Sequence, residues 1–323
     1  MPERYNTDTI DTAGIHHVTS IASDPRQNVE FYTDVLGLRL VKRTVNFDDK
    51  YTYHLYYGDE VGTPGTALTF FPFENGTPGR VGRGQTSATA FVIPDGSVEY
   101  WIDRLNAHDV TVDSPQSRFD ETVVPFVDHD GQPLELVTGT NDIEPWSEGP
   151  VPAAHALCGF YGVTLESIDP ERTGRVLETL GYEQIAQSGD RTRYRASGDR
   201  AAIVDVRDRP DIPQGRQGVG TVHHVAFRVP DEETQLAWRK RLDDSELQIR
   251  ITPQKDRSYF TSIYFREPGG VLFEIATDGP GFTRDESVTD LGTELKLPPW
   301  LEDERETIEE QLPELRGPGT NVN

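Results

Sequence analysis

The sequence predicts an α+β fold built from four βαβββ modules arranged in two halves of the chain. Residues 14–25 read GIHHVTSIASDP and residues 159–170 read GFYGVTLESIDP, with Gly, Val, Thr, Asp and Pro at matching places. A second pair matches between AFVIPD and AFRVPD, which begin at residues 90 and 226. Each copy opens with a β-rich run and continues into a helical pattern, so the modules start near residues 14, 87, 159 and 221.

Module one shows the order of elements. Asp24 and Pro25 supply a helix cap and a first-turn proline, and Gly37 ends the apolar helical pattern that follows. Short strand-like runs at residues 51–57 and 66–71 are separated by Gly, Pro and Asp. The module is therefore predicted as a strand, a helix and further strands.

The other modules repeat this plan, with helical patterns at residues 98–105, 170–180 and 231–242. Proline, glycine and acidic residues between modules two and three predict a linker. An acidic helical pattern near the C-terminus is typical of a packing arm. The predicted units are a first domain at 12–140, a linker at 141–156, a second domain at 157–283, and a C-terminal arm and tail at 284–323.

Composition excludes several classes of function. The 323 residues include 31 Lys and Arg against 55 Asp and Glu, which gives a formal charge of −24. No basic stripe could dominate such a field, so we expect no nucleic-acid partner. The apolar runs are far shorter than the ~18 residues that a membrane span needs, so we expect no membrane partner.

The choice of basic residues suggests adaptation to salt. Lys accounts for five of the 31 basic residues, and the surplus of carboxylates is large. High salt screens the self-repulsion of such a chain, so a halophilic source is favoured over a mesophile with an acidic surface. Cys158 is the single cysteine and the N-terminus shows no apolar signal core, which together predict a cytoplasmic protein.

Four of the eight histidines form two adjacent pairs, His16-His17 and His223-His224, in the first strands of modules one and four. A single buried histidine is usually structural. Two pairs at equivalent positions of a repeat favour metal ligation instead. Alternation sends the members of each pair to opposite faces of a strand, so spacing alone leaves either member open as the ligand.

A carboxylate in the last strand of module four is a further ligand candidate. Glu274 lies in the apolar run GGVLFEI, where an unpaired charge would cost several kcal/mol. It is therefore expected to bind a metal, or to form a buried ion pair with an arginine. Two histidines and one carboxylate suit non-haem Fe(II) with open coordination positions. Alignment of the modules places Thr69 at the position of a fourth ligand, which disfavours a site of two His and two Glu.

The equivalent positions in modules two and three carry no histidine. Gly162 corresponds to His17, and Ala88 corresponds to the second histidine of module four. Glu135 and Asp205 leave carboxylates there, which predicts a decayed second site in which Glu135 is a relic or an ion-pair partner. Because the candidate ligands come from modules one and four, these modules must share one cleft.

The sequence resembles the vicinal oxygen chelate superfamily, also called the glyoxalase, bleomycin resistance and extradiol dioxygenase superfamily. The resemblance rests on the HHVTS, HHVAF and GGVLFE strands and covers residues from about 12 to 313. It implies modules paired into two half-open mixed β-barrels, with the helices outside. Four further segments are similar to the ring-cleaving dioxygenases that act on hydroquinones: VKRTVNFDD, YHLYYGDEVGTPGT, FTSIYFREPGGVLFE and LPPWLEDERETIEEQLP.

The resemblance implies that His17, His224 and Glu274 hold Fe(II), although the donor types also suit Mn(II). It further implies that four residues line the substrate pocket or take part in catalysis: His16, His223, Arg257 and Tyr264. Either of the two histidines could act as the acid or base. From the residues alone, a structural role is equally compatible with the sequence: Tyr264 as a packed aromatic residue and Arg257 as a surface charge. His54 is a weaker pocket candidate, on the same strand face as Tyr56.

The expected function is that of an extradiol-type ring-cleaving dioxygenase acting on hydroquinone-type dihydroxy aromatics with O₂. One alternative is a glyoxalase-like isomerase or thiol-adduct enzyme with a redox-inert metal. The other is a non-catalytic protein that binds small molecules. A homo-oligomer is compatible with the sequence, which does not define the oligomeric state.

Overall fold

The computed structural model describes residues 12–315, and within them the α+β fold of four βαβββ modules is confirmed. Each module contributes one strand, one helix and three more strands in chain order. The strands are β1 Ile15–Ala22, β2 Arg39–Asn46, β3 Asp49–Gly58, β4 Ala67–Pro72, β5 Gln85–Ile93, β6 Gln116–Arg118, β7 Glu121–Val127, β8 Pro133–Thr138, β9 Phe160–Glu166, β10 Glu183–Ser188, β11 Arg191–Arg195, β12 Ile203–Arg207, β13 Thr221–Val229, β14 Lys255–Asp256, β15 Thr261–Arg266 and β16 Leu272–Thr277. The helices are α1 Pro25–Glu30, α2 Val98–Ala107, α3 Pro170–Thr179, α4 Glu232–Asp243 and α5 Arg305–Gln311.

The predicted helix signals of module one act as expected. The Asp24 side chain accepts hydrogen bonds from the backbone N–H groups of Arg26 and Gln27, which would otherwise lack partners at the start of α1. The helix continues as a wider turn through Phe31–Val35. Gly37 then adopts a φ of 72°, a conformation that favours glycine, and the chain leaves the helix for β2.

The two curled, mixed sheets each combine modules from both halves of the chain. The first sheet has the order β14-β15-β16-β13-β1-β4-β3-β2 and joins modules four and one. The second has the order β10-β11-β12-β9-β5-β8-β7-β6 and joins modules three and two. The boundaries 12–140 and 157–283 therefore describe sequence units and remain a prediction, whereas each half-barrel is assembled across them.

Apolar burial attaches the helices to the sheets. Trp101 of α2 and Trp238 of α4 are both fully buried, as are Val176 and Leu177 of α3. Removing large side chains of this kind from water is the main favourable term in folding. None of the helices found between residues 12 and 315 has the length and apolar character that crossing a bilayer requires.

Two connections between modules run beside each other and form a strap. Residues 76–84 lead from module one to module two, and residues 213–220 lead from module three to module four. Isolated bridges join them at Pro78 with Val219, at Arg80 with Arg216 and at Arg83 with Gln214. The strap thus links the two sheets.

The C-terminal arm packs on the strands of module one. Ile308 of α5 is fully buried, and the Tyr53 hydroxyl on β3 donates to the Pro313 carbonyl oxygen at 2.9 Å. Lys42 on β2 is fully buried and forms ion pairs with Asp285 and Glu286. The arm therefore has a packing role up to residue 315, and residues 316–323 of the predicted tail lie outside the described residues.

Candidate metal centre and its cavity

Both histidine pairs lie at β-bulges in the ladder between β1 and β13. On β1, Ile15 and His17 pair with adjacent residues of β13, which leaves His16 as the extra residue. On β13, His224 and Val222 pair with adjacent residues of β1, which leaves His223 as the extra residue. A bulge interrupts the alternation of side chains and redirects them.

The bulges bring the two rings of each pair together. The Nδ1 atoms of His16 and His17 lie 2.9 Å apart, and those of His223 and His224 lie 2.7 Å apart. Regular alternation would place these neighbours on opposite faces of the sheet. Each second histidine therefore has its Nδ1 occupied by its neighbour and its Nε2 free to face the centre. A hydrogen bond on the outer nitrogen is the usual way to orient a ligating histidine.

Three side-chain atoms converge between modules one and four. The Nε2 atoms of His17 and His224 are 3.2 Å apart, and Oε2 of Glu274 lies 3.4 Å from the first and 2.9 Å from the second. All three residues are buried. Bonds of ~2.1 Å to one ion place neighbouring donors about 3.0–3.4 Å apart, for angles between octahedral and tetrahedral. The donor set therefore fits a divalent transition metal ion.

The electrostatics of Glu274 also suit a cation. Burial favours its protonated form, but the imidazoles of His17 and His224 outweigh this and hold the pKa of Glu274 well below its ordinary value. The Ser262 hydroxyl donates to its other oxygen, Oε1. Among the described residues, no arginine or lysine comes within ion-pair distance of Glu274, so the arginine pair that the sequence left open is not formed.

The outer histidines lie in different surroundings. His223 borders the cavity in front of the candidate ligands, and burial, followed by its neighbour His224, lowers its pKa to about 3. His16 borders a smaller cavity of about 270 Å³, separated from the first by Phe260, and burial lowers its pKa well below the ordinary value. The geometry therefore places His223, rather than His16, beside a ligand in the main cavity.

The main cavity has a volume of about 420 Å³ and includes both further predicted residues, Arg257 and Tyr264. Arg257 donates from Nε to the Tyr264 hydroxyl oxygen at 3.2 Å, and its Nη2 lies 3.1 Å from Asp48 Oδ2. Burial raises the pKa of Tyr264, so its hydroxyl keeps its proton. Because Arg257 can only donate, the Tyr264 proton is free to be donated into the cavity.

A chain of hydrogen bonds forms part of the cavity wall. The Tyr56 hydroxyl lies 2.8 Å from His54 Nδ1, His54 Nε2 lies 2.9 Å from Thr69 Oγ1, and Thr69 Oγ1 lies 2.7 Å from Thr19 Oγ1. The alternation of side chains along β3 predicts that His54 and Tyr56 share one face. The contact of His54 with Thr69 depends on the pairing of β3 with β4, which the sequence does not specify. At the position of a fourth ligand, the Thr69 hydroxyl is thus engaged by Thr19 and His54.

The equivalent place in the second sheet holds ion pairs instead of converging ligands. Glu135 accepts two hydrogen bonds from Arg118, at 2.6 and 2.7 Å. Asp205 lies 2.8 Å from a guanidinium nitrogen of each of Arg191 and Arg193. The prediction that Glu135 is an ion-pair partner agrees with this arrangement.

The lack of space around Gly162 explains why no histidine occupies the position of the second sheet that is equivalent to His17. A Cβ atom on Gly162 would lie 2.1 Å from the backbone oxygen of Ile203, closer than any side chain can approach. The bulges themselves are kept, since Ser87 and Tyr161 are the extra residues on β5 and β9. The second sheet therefore repeats the backbone of the first without its candidate ligands.

Comparison with protein families gives one match along both halves of the chain. The family model described as "Glyoxalase/Bleomycin resistance protein/Dioxygenase superfamily" matches residues 14–136 and 163–275. The matched ranges include every module, and they confirm the resemblance inferred from the repeat.

Similar curated proteins extend over almost the whole chain. MhqO of Bacillus subtilis (strain 168), which carries the provisional name of a ring-cleaving dioxygenase, is 45% identical over 303 residues, covering 93% of this chain and 96% of its own. The chlorohydroquinone/hydroquinone 1,2-dioxygenase of Sphingobium indicum is 35% identical over 311 residues, covering 94% of each.

Solved structures agree with the fold. A crystal structure of a B. subtilis protein, described provisionally as a dioxygenase, superposes with a TM-score of 0.92 at 43% identity, covering 95% of this chain and 99% of that one. Glyoxalase I from Zea mays superposes with a TM-score of 0.61 at 15% identity, covering 82% of this chain and 92% of that one. The maize enzyme is similar in fold alone.

Proposed function

Because this chain belongs to the glyoxalase/bleomycin resistance protein/dioxygenase superfamily, we propose that it is a ring-cleaving dioxygenase that opens hydroquinone-type dihydroxy aromatics with O₂. A dioxygenase of this superfamily implies a metal, which we assign to His17, His224 and Glu274. The observation that carries the proposal is the convergence of these three buried donors beside one cavity, which His17 and His224 line. Two imidazoles and one carboxylate are the donor set typical of non-haem Fe(II), which we propose as the ion.

His17, His224 and Glu274 would hold Fe(II), which would supply the one-electron steps that triplet O₂ requires. The chain's own residues bind and orient the aromatic ring. Tyr264, which accepts a hydrogen bond from Arg257, donates a hydrogen bond to a substrate oxygen. His223 is neutral at pH 7, and its Nδ1 accepts a hydrogen bond from the Nδ1–H of His224 when His224 binds the ion through Nε2. The Nε2–H of His223 therefore donates a hydrogen bond to a substrate oxygen. Phe260 and Phe71 provide apolar contact with the ring.

The chemistry of the substrate favours cleavage of the extradiol type. In a para-dihydroxy ring no two neighbouring carbons both carry hydroxyls, so the broken bond joins a hydroxyl-bearing carbon to one without a hydroxyl. Both oxygen atoms enter the product, which converts C₆H₆O₂ and O₂ into C₆H₆O₄. The hydroxyl-bearing carbon becomes a carboxyl group and its neighbour becomes an aldehyde.

A glyoxalase-like isomerase is the second candidate. Such a site would use a further carboxylate ligand, and here the position is occupied by Thr69, whose hydroxyl lies within hydrogen-bonding distance of Thr19 and His54. The similarity to the maize glyoxalase supports a shared fold and gives no information about the reaction. A non-catalytic binding protein would not need three convergent metal donors. Both alternatives therefore account for less of the site.

The ligand assignment is tested by anaerobic reconstitution with Fe(II). Glu274→Gln and His224→Ala should weaken iron binding more than about 100-fold, because each removes a donor from a three-residue site. Glu135→Gln is the matched control: this carboxylate stands at the equivalent repeat position but pairs with Arg118. Bound iron is measured by metal analysis after gel filtration. Full iron content in Glu274→Gln would refute the assignment.

The reaction is tested by O₂ uptake of the reconstituted protein with hydroquinone, chlorohydroquinone and catechol side by side. We expect uptake with the two hydroquinones, a lower rate with catechol, and a ring-opened product that contains both atoms of ¹⁸O₂. Iron binding without uptake on any of the three substrates would favour the isomerase or the binding protein. Preference for catechol would contradict the proposed substrate class.

A further inference from the structure

A second chamber of about 300 Å³ adjoins the metal-facing cavity. His223 and Gln217 belong to the walls of both spaces, so the two are separated by single side chains. The chamber lies where the start of β5, the turn between β15 and β16, and the strap meet. A ligand held at the candidate metal centre could therefore extend past His223 into the chamber.

The chamber is positively charged within a strongly acidic chain. Arg83 and Arg266 line it, and no aspartate or glutamate does. Among residues 12–315, neither arginine lies within 4.0 Å of a carboxylate oxygen, although the whole chain has a charge of −24. Two arginines without acidic partners in one small space favour an anion.

Polar atoms in the wall lack partners as well. Thr86 is 2% exposed, and neither its hydroxyl nor the Nε of Arg83 has a hydrogen-bond partner within the described part of the chain. Buried polar groups in folded proteins are normally paired. Both atoms can donate a hydrogen bond, whereas the amide oxygen of Gln85, a third unpaired atom of a lining residue, can accept one.

We propose that the chamber binds the carboxylate of a ligand whose other end occupies the metal-facing cavity. The proposal rests on the proposed function, because ring opening creates a carboxyl group and an open chain longer than the ring. The new carboxylate is then drawn past His223 toward Arg83 and Arg266, away from the metal centre. The same chemistry would also bind an aromatic substrate that already carries a carboxylate.

The test measures binding to the metal-free protein, so that it does not depend on turnover. The probes are trans,trans-muconate, an open six-carbon dicarboxylate, and its dimethyl ester, which has the same skeleton without charge. Isothermal titration calorimetry at low salt should show tighter binding of muconate. Raising NaCl should weaken the binding of muconate and leave the ester unaffected, because an exposed guanidinium is screened.

Substitutions locate the site. Arg83→Gln combined with Arg266→Gln should reduce the affinity ratio of muconate to ester about 10-fold or more, while Arg266→Lys, which keeps the charge, should retain most of it. Arg195→Gln is the control, because Arg195 is an exposed arginine that lines neither space. If the double variant fails to fold, the Arg266→Lys comparison and the salt titration of the native sequence decide the question.

The outcomes separate this proposal from the proposed function. An unchanged ratio in a folded double variant, or equal salt dependence of both probes, would overturn the carboxylate chamber even if hydroquinone is consumed. A normal ratio without any O₂ uptake would support the chamber and contradict the dioxygenase. Turnover of 2,5-dihydroxybenzoate with a higher kcat/KM than methylhydroquinone would assign the carboxylate to the substrate, and the reverse order would assign it to the product.

Discussion

Glu274 and Glu135 occupy equivalent positions in the repeat, and their neighbours give them different chemistry. Each pairs in register with an alanine of the preceding parallel strand, Ala226 or Ala90. Glu274 faces two imidazoles, whereas Glu135 is neutralised by the guanidinium of Arg118. A carboxylate left without a permanent cation in a buried site is costly unless a metal compensates it. The role of each residue therefore follows from its partners.

Removal of the Tyr56 hydroxyl should reveal a positioning role for the chain that includes His54. Tyr56→Phe leaves His54 Nδ1 without its partner, so neither the tautomer of His54 nor the Thr69 hydroxyl is held in one orientation. We expect kcat/KM for hydroquinone to fall about 10-fold at full iron content. Oxygen-electrode kinetics on the iron-loaded variant measure this.

Tyr57→Phe is the matched control for this prediction. Its hydroxyl donates to Asn28 at 2.9 Å in the core, and Tyr57 does not line the cavity. We expect Tyr57→Phe to lower the free energy of unfolding by about 1 kcal/mol and to leave kcat/KM for hydroquinone unchanged. Equal kcat/KM in both variants would show that the chain of hydroxyls is structural.

At the scale of elements, the first strand of each module is the unit that the repeat preserves. The bulges on β1 and β13 recur on β5 and β9, with histidines at the extra positions in one sheet and Ser87 and Tyr161 in the other. The bulge explains how adjacent histidines can act together when alternation predicts opposite faces. The contact between the two histidines of each pair could not be predicted from the periodicity of the sequence.

Gly162 gives a test of how far the second sheet has diverged. Gly162→Ala should destabilise the protein by about 1–3 kcal/mol, because its Cβ would meet the Ile203 backbone 2.1 Å away. Gly139→Ala is the control, since its nearest neighbour would be a Val92 methyl group at 3.9 Å. Urea unfolding of both variants provides the comparison. Equal midpoints would mean that β9 shifts freely and that a histidine could be accommodated there.

At the scale of the whole molecule, the candidate metal centre depends on pairing between modules one and four. β1 lies beside β13 in the first sheet, so His17 meets the other two candidate ligands, which lie more than 200 residues away in sequence. The predicted shared cleft of modules one and four agrees with this sheet order. The strap and the C-terminal arm add contacts between sequence-distant segments.

Charge at this scale predicts a dependence on salt. Raising KCl from about 0.05 to 0.5 M should increase the free energy of unfolding of the metal-free protein at pH 7, because shorter screening lengths reduce repulsion within a chain of charge −24. Urea titrations at both salt concentrations measure the change. At a pH near the isoelectric point of about 4.6 the increase should disappear. An equal increase at both pH values would indicate a general salt effect instead of adaptation of the surface.

The sequence by itself determined the modules, the superfamily and the three candidate ligands. Repeat spacing, helix caps and strand runs are local signals, and a duplicated chain allows equivalent positions to be compared without a structure. The histidine pairs were identifiable because Gly162 and Ala88 stand at the equivalent positions, and Glu274 because a carboxylate in an apolar strand needs a partner. The family resemblance then selected His17 and His224 within the pairs.

Tertiary structure decided what depends on contacts between distant strands. It assigned His223 to the main cavity and His16 to another, joined Thr69 to His54 and Thr19 by hydrogen bonds, and placed Arg83 and Arg266 in the wall of a second chamber. Bulges and inter-strand register set these contacts, and both result from the pairing of whole sheets. The physical reason is that a single strand specifies alternation, whereas the partner across the ladder specifies where that alternation breaks.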